Sequence, residues 1–455
     1  MIHQFKNNGY NIVLDVHSGA VHVVDDMVYD LLETGIDFQS KECPAEVLNS
    51  LKNYPENDVI EAYGELKSLK DSGLLFSEDD YEQFADMMVH SPLKAMCLHV
   101  SHDCNLRCKY CFAEQGVYGG KAEVMSEEVA KAAIDFLIAR SGTRRNLELD
   151  FFGGEPLMNF DVVKKTVEYA RSLEKEHNKN FRFTMTTNGV LLNEEISEYL
   201  NREMHNVVLS LDGRKEVNDR MRPNVAGHGS YDRIVPKYQQ FVQMRGDKDY
   251  YVRGTFTKEN LDFAEDVLHM ASLGFDQISV EPVVSDPYLP FSIQENDLPR
   301  VFEEYDRLAA LILEKKREGR CFNFFHFMID LEQGPCAIKR LRGCGCGNEY
   351  AAVDPQGGVY PCHQFVGKPE WKMGDVLKNE YNTDMKSEFA RANVYAKEEC
   401  RSCWAKFYCS GGCNANNQQY EGDILKSHKL SCELEKKRLE CALMIRAALA
   451  SEQDS

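Results

Sequence analysis

The chain reads as an α/β protein: a partial (β/α)6 barrel of the TIM type, preceded by a winged-helix-like module and followed by a cysteine-rich domain. Three observations predict this. Residues 90–290 alternate strand-like and helix-like segments six times, which implies parallel strands joined by right-handed crossovers. Residues 1–80 read as strands followed by three helices. Beyond residue 340 the chain turns rich in cysteine and glycine. At 455 residues, 43% of them hydrophobic and 28% charged, there is material for two or three globular domains.

Taken in order, residues 10–16 and 20–24 are β-rich runs joined by His17-Ser18-Gly19, a hairpin signal. Asp25 or Asp26 can cap the next helix, whose apolar face is Val28, Leu31 and Leu32, and Gly35 is a stop. Pro44 opens a second helix. A third carries Val59, Ala62, Tyr63, Leu66 and Leu69 on one face and ends at Gly73. The barrel strands are expected at 94–100, 146–152, 181–187, 206–211, 250–257 and 277–284, with helices starting near Ser126, Asp161, Asn193, Ser230 and Asn260. Residues 291–340 read as a connector with one long helix over about 297–319. The last region, 341–455, is expected to have little regular structure and to need metal to fold.

Composition excludes several roles. A net charge of -20 argues against a nucleic-acid partner. The start, Met1-Ile-His-Gln-Phe-Lys, has no apolar export segment, and no stretch approaches ~18 apolar residues, so neither a membrane partner nor export is expected and the location should be cytoplasmic. In that reducing compartment sixteen cysteines point to metal ligation rather than disulfides.

The strongest motif is Cys104-Asn-Leu-Arg-Cys108-Lys-Tyr110-Cys111, directly after the first barrel strand. Its C-x3-C-x2-C spacing supplies three thiolates and no fourth. A structural zinc site takes four ligands; a four-iron cubane held by three thiolates keeps one iron open. The strand ends of such barrels are where chemistry gathers. After the second strand comes Gly153-Gly154-Glu155-Pro156, in which the glycines let backbone approach a ligand and Glu155 can accept from an ammonium group. Thr186, Thr187 and Asn188 end the third strand, Ser210 the fourth, Arg253 and Thr255 the fifth, and Glu281 the sixth. Asn188, Ser210, Arg253 and Glu281 are candidate cofactor contacts, with loop hydrogen bonding or surface pairing as the alternative.

A second constellation follows Cys344: Gly357-Gly358-Val-Tyr-Pro-Cys362, then Cys400-x2-Cys403-x5-Cys409-x3-Cys413, and finally Cys432. Cys43, Cys97, Cys321 and Cys441 read as buried free thiols.

The C-x3-C-x2-C run with Tyr110 before its last cysteine resembles the radical SAM superfamily, and the C-terminal pattern resembles the SPASM domain of peptide-modifying radical SAM enzymes. Nearly the whole chain resembles maturases of ribosomally made peptides, in particular those of six-cysteine (SCIFF) peptides. The resemblance implies S-adenosylmethionine (SAM) and three [4Fe-4S] clusters. Cys104, Cys108 and Cys111 would hold the cluster whose open iron chelates SAM. Tyr110, Gly153, Gly154, Glu155, Asn188, Ser210, Arg253 and Glu281 would contact SAM, Glu155 through its amino group and Ser210 through its ribose. Cys400, Cys403, Cys409 and Cys432 would hold one auxiliary cluster, and Cys344, Cys362 and Cys413 the other. Seven thiolates for two cubanes leave one iron open to a substrate thiolate, unless Cys346 or Cys336 fills it. The implied activity is thioether formation in a cysteine-rich precursor peptide bearing a leader. The N-terminal module would bind that leader by strand addition, and ferredoxin or flavodoxin would donate electrons. The alternatives are oxidation of a Cys or Ser, carbon–carbon crosslinking, or a non-catalytic zinc-holding peptide binder.

Overall fold

A computed structural model describes residues 1–87, 91–320, 322–331 and 340–453. Cys321 and Cys336 lie outside the described residues.

The chain opens with a three-stranded antiparallel sheet, β1 (Ile2–Asn7), β2 (Tyr10–Asp15) and β3 (Val21–Val24), in that order. The sequence reading lacked β1. Its signal was Asn8-Gly9, whose φ angles of 45° and 84° are the left-handed pair that a tight two-residue hairpin requires. Helices Asp26–Glu33, Ala45–Ser50 and Glu56–Asp71 follow. Asp25 caps the first, accepting from Val28 N at 2.8 Å. Because side chains alternate along a strand, β2 serves two cores. Val13 faces the module's own helices with Leu31, Phe38, Val59 and Tyr63. Ile12 and Leu14 face the main core, where the long C-terminal helix Lys429–Gln453 packs across β1, β2 and β3.

The six expected barrel strands form as β4 (Ala95–Ser101), β5 (Asn146–Gly153), β6 (Asn180–Thr187), β7 (Asn206–Ser210), β8 (Tyr250–Phe256) and β9 (Gln277–Pro282). Each pairs in parallel with the next. Ser126 and Asn193 cap the helices after β4 and β6 with their side chains, as the sequence predicts. The long connector helix is Leu298–Arg317, and it packs against Lys429–Gln453.

The expectation of little regular structure beyond 340 is corrected. β10 (Asn323–Phe324) extends the sheet beyond β9. On the other side β11 (Tyr350–Val353) pairs in parallel with β4, and β12 (Gly358–Tyr360), β13 (Gly374–Asp375) and β14 (Glu380–Tyr381) continue antiparallel, giving eleven strands among the described residues. Tyr-Ala-Ala-Val is too short to announce a strand; it becomes one because β4 offers it an open edge. Cys97 and Cys441 are buried, as expected, but Cys43 is only half-buried. Among the described residues no helix is long and apolar enough to cross a membrane.

Candidate functional site

A cleft of about 300 Å³ opens at the C-terminal ends of the barrel strands. It brings together Cys104, Cys108, Cys111, Tyr110, Gly153, Gly154, Glu155, Asn188, Ser210, Arg253 and Glu281, every residue assigned to the first site from sequence.

The cysteine loop is fixed from both sides. A register irregularity between His99 and Ser101 ends β4 and releases the chain. Gly154 N then donates to Ser101 O at 2.7 Å and Glu155 N to Asp103 O at 2.9 Å. A Cβ on Gly153 would meet Ser101 O at 2.2 Å, and one on Gly154 would meet Asp103 O at 2.2 Å, so neither position tolerates a side chain. On the far side Arg107 N and Lys109 N donate to Pro223 O and Met221 O at 2.7 and 2.9 Å. The Tyr110 hydroxyl donates to the Asp212 carboxylate, 2.8 and 2.7 Å from its two oxygens. Arg222 reaches the same carboxylate at 3.0 Å and Thr255 N at 2.9 Å. Tyr110 therefore ties the loop to β7 and β8 through its oxygen and shows the cleft its ring. Asp212 and Arg222 are functional neighbours that the sequence reading did not assign; Asp212 was visible in the run Ser210-Leu-Asp212, Arg222 carried no signal.

Burial pushes the Cys104 thiol up to about 12, and Cys108 to about 11. Ligation by thiolate must release those protons. Glu155 is 1% exposed. Thr187 Oγ1 and Leu157 N donate to its Oε1 at 2.7 and 3.1 Å, and Asn188 N donates to Oε2 at 2.8 Å. A carboxylate offers roughly four acceptor positions, so one remains for a cation. Burial outweighs the three donors and raises Glu155 to about 7.

Asn188 is committed to the loop: its Nδ2 donates to Asn105 Oδ1 at 2.7 Å and lies 3.6 Å from Cys104 Sγ. Its hydrogen bonds position the first cysteine. Arg253 and Glu281 form an ion pair of 2.5 Å on the cleft wall. Burial opposes the Glu281 charge, but Arg253, His326 and Arg438 outweigh it and hold the carboxyl at about 2. Ser210 lines the cleft beside Arg253, its partner in strand register.

The C-terminal cysteines fall into two groups. Burial raises the Cys409 and Cys432 thiols, and the nearby Cys400 and Cys403 raise both further. Burial likewise raises Cys344 and Cys413, each with Cys362 as a further cause, and Cys346 and Cys362 share one buried cluster against which Cys413 packs. Between the groups lies Lys397, its Nζ donating to Gly411 O at 2.6 Å and Asn414 Oδ1 at 2.9 Å. Gln364 Nε2 donates to Cys413 Sγ at 3.8 Å. His363 and Gln364, next to Cys362, also line the cleft, so the second group borders the first site. Sequence gave no signal for either beyond that adjacency. Among the described residues no group of three or more His, Cys, Asp or Glu is arranged to hold a single metal ion. The donors in each group are thiols without an interposed carboxylate, a set suited to iron–sulfur clusters.

Residues 98–241 match the radical SAM superfamily, and residues 344–404 match the SPASM iron–sulfur cluster-binding domain. The chain carries a radical SAM region followed by a SPASM region. Relatives of this radical SAM/SPASM chain include a cysteine-type anaerobic sulfatase-maturating enzyme of Clostridium perfringens, 24% identical over 74% of this chain and 92% of that protein. Another is the radical SAM cyclopropyl synthase TigE of Paramaledivibacter caminithermalis, 22% identical over 98% of this chain and 94% of that one. Two solved structures share the fold. Native anSMEcpe with bound AdoMet and a Cp18Cys peptide superposes with a TM-score of 0.63, 21% identity, and coverage of 78% of this chain and 99% of that one. SuiB of Streptococcus suis bound to S-adenosylmethionine gives a TM-score of 0.54 at 16% identity, covering 94% and 97%.

Proposed function

We propose that this radical SAM/SPASM enzyme modifies a cysteine-rich precursor peptide, joining a cysteine sulfur to a carbon of another residue as an intramolecular thioether. The coarser assignment, a SPASM-type peptide maturase, draws on the two matched domains and on relatives named for sulfatase maturation and peptide cyclisation. The observation that carries the finer one is the shared wall: Cys362 and Cys413 reach the SAM-site cleft through His363 and Gln364. A peptide in that cleft has its reacting carbon on the side of Cys104, Cys108 and Cys111, and its sulfur on the side of the auxiliary thiols.

Cys104, Cys108 and Cys111 would hold the cluster that binds SAM, and the auxiliary groups two further clusters. With SAM bound, the reduced cofactor supplies a radical able to take hydrogen from an unactivated carbon, which acid–base groups cannot do. The chain's own residues do the positioning. Glu155 offers its remaining acceptor to the SAM ammonium, Arg253 faces the carboxylate, and Ser210 the ribose. Gly153 and Gly154 let backbone come close. β3, an edge of its sheet with Val23 exposed, offers the strand to which a leader peptide can add. Ferredoxin or flavodoxin would supply electrons.

The test is anaerobic incubation with SAM, reductant and a cysteine-rich precursor peptide, read by mass spectrometry before and after thiol alkylation. Each bridge should remove two hydrogen atoms and one alkylatable thiol. Oxidation at Cys or Ser, or a crosslink that leaves every thiol free, would move the chain to another maturase chemistry. A purified protein without visible iron–sulfur absorbance would leave zinc as the metal.

A further inference from the structure

The two faces of the barrel sheet differ. Leu149, Phe151, Phe183 and Leu209 point outward and are fully buried in the main core. Inward positions alternate with them, and there Asp150, Thr184, Thr186, Val208, Ser210 and Tyr251 are all half-buried. A closed barrel fills its interior with layers of branched apolar side chains. This partial barrel instead keeps an accessible, largely polar lumen. Phe152 and Thr186 line the cleft. Asp150 and Thr184, paired in register, stand two residues earlier on the same face, about 7 Å below. Asp150 is the charge in that lower layer that lacks a counter-ion. The Thr184 hydroxyl donates to it. Among the described residues its one cationic neighbour is Lys94, whose ammonium pairs with Glu148 at 3.6 Å. Above it Arg253 is taken by Glu281, and lower on β6 Arg182 contacts His205. A carboxylate offers roughly four acceptor positions, so most of Asp150 faces the lumen unmet.

We propose that Asp150 is a recognition site for a cationic side chain, lysine or arginine, that the peptide undergoing modification lowers from the cleft into the barrel lumen. This rests on the reading that a peptide occupies the cleft. A four-carbon lysine stem spans the ~7 Å between the two layers. Val208 and Tyr251, neighbours in register on β7 and β8, give that stem an apolar wall. A chain of net charge -20 also draws in a basic peptide. Burial and Glu148 lift Asp150 to about 7, against Thr184 and Lys94. Cys97 and Tyr350 also face it, and both stay protonated because burial raises them. A cation beside Asp150 favours its ionised form, so the site holds a cationic side chain more tightly as pH rises through 7.

The experiment uses the SAM-loaded holoenzyme under anaerobic conditions, with acetyl-Gly-Lys-Gly-amide and acetyl-Gly-norleucine-Gly-amide as probes in equilibrium dialysis. At pH 8 the lysine peptide should bind about tenfold more tightly, the low end for one charge-assisted hydrogen bond. The preference should shrink toward pH 6. Glu155 titrates in the same range, so the ratio of the two probes is what is read. Asp150→Asn, of the same shape, should erase the preference. Glu148→Gln should keep it, because that carboxylate is already paired. Equal binding of the probes by the wild-type enzyme, binding of neither, or a preference that survives Asp150→Asn would overturn the proposal and leave Asp150 a buried acid bonded to Thr184. If Asp150→Asn does not fold, the wild-type pH profile decides: a preference that rises from pH 6 to 8 supports the site, and a flat one overturns it. Lysine preference that follows Asp150 in an enzyme that crosslinks no precursor would sink only the proposed function. Thioether formation by an enzyme indifferent to lysine would sink only the lumen site.

Discussion

Tyr110 is the aromatic residue inside the cysteine motif, and Tyr110→Phe tests whether it serves the cofactor or the loop. The substitution keeps the ring, and with it the Arg222 guanidinium 5.4 Å from the ring centroid. It deletes one hydroxyl donor to a charged acceptor, which is worth about 1.5–3 kcal/mol. The lower end applies, because Asp212 retains Arg222 at 3.0 Å and Thr255 N at 2.9 Å and is not left bare. Asp212→Ala differs in kind. It strips the buried Arg222 guanidinium, whose side chain is 11% exposed, of its carboxylate, and breaking such a pair from one side costs about 3–5 kcal/mol. The expected order is a small loss for Tyr110→Phe and at least twice that for Asp212→Ala. Anaerobic urea unfolding measures stability, iron release to a chelator measures how firmly the loop keeps its cluster, and SAM titration measures binding. Equal losses in the two variants would refute the reasoning. So would a Tyr110→Phe protein of normal stability that no longer binds SAM, since its hydroxyl would then act on the cofactor and not on Asp212.

Replacing Cys104, Cys108 and Cys111 by Ala should abolish 5′-deoxyadenosine formation and remove about 4 of about 12 iron per chain; retained SAM cleavage would dismiss the assignment. Glu155 sits near 7, above its usual 4.5, so its contribution to stability is full below about pH 4.5 and lost as pH rises to 7. Glu155→Gln should flatten that fall, by up to about 3 kcal/mol, while weakening SAM binding; unfolding curves from pH 5 to 8 read the slope. Lys397→Met removes a buried cation near Cys400, Cys409, Cys413 and Cys432 and should lower the auxiliary clusters' reduction potentials in potentiometric titration, with Lys397→Arg restoring them. Val23→Pro on the β3 edge should weaken leader-peptide binding roughly tenfold, a loss of one or two backbone hydrogen bonds, without slowing uncoupled SAM cleavage.

What the sequence made legible was local. All six barrel strands and the helix caps at Ser126 and Asn193 carry their instructions within a few residues, and the first site's cysteines, glycines and Glu155 lie at strand ends that the alternation locates. What it hid depends on distant partners. β11 exists because β4 has a free edge, and Arg222 matters because it meets Asp212 and Tyr110. The N-terminal module shows the same limit on a larger scale. As a sequence it looks like an appendage outside the barrel, with a core of its own. As a structure it lends Ile12 and Leu14 to the main core, and its Asp79 pairs at 2.5 Å with Lys406, whose side chain is 1% exposed. Deleting residues 1–80 would uncover the helix Lys429–Gln453 and strand a buried cation in the region of the auxiliary cysteines. A loss of activity after that deletion would report a damaged cluster domain as readily as a missing leader site. Recognition by this module is therefore testable at its free edge, where Val23 stands opposite Ile12 and is itself exposed.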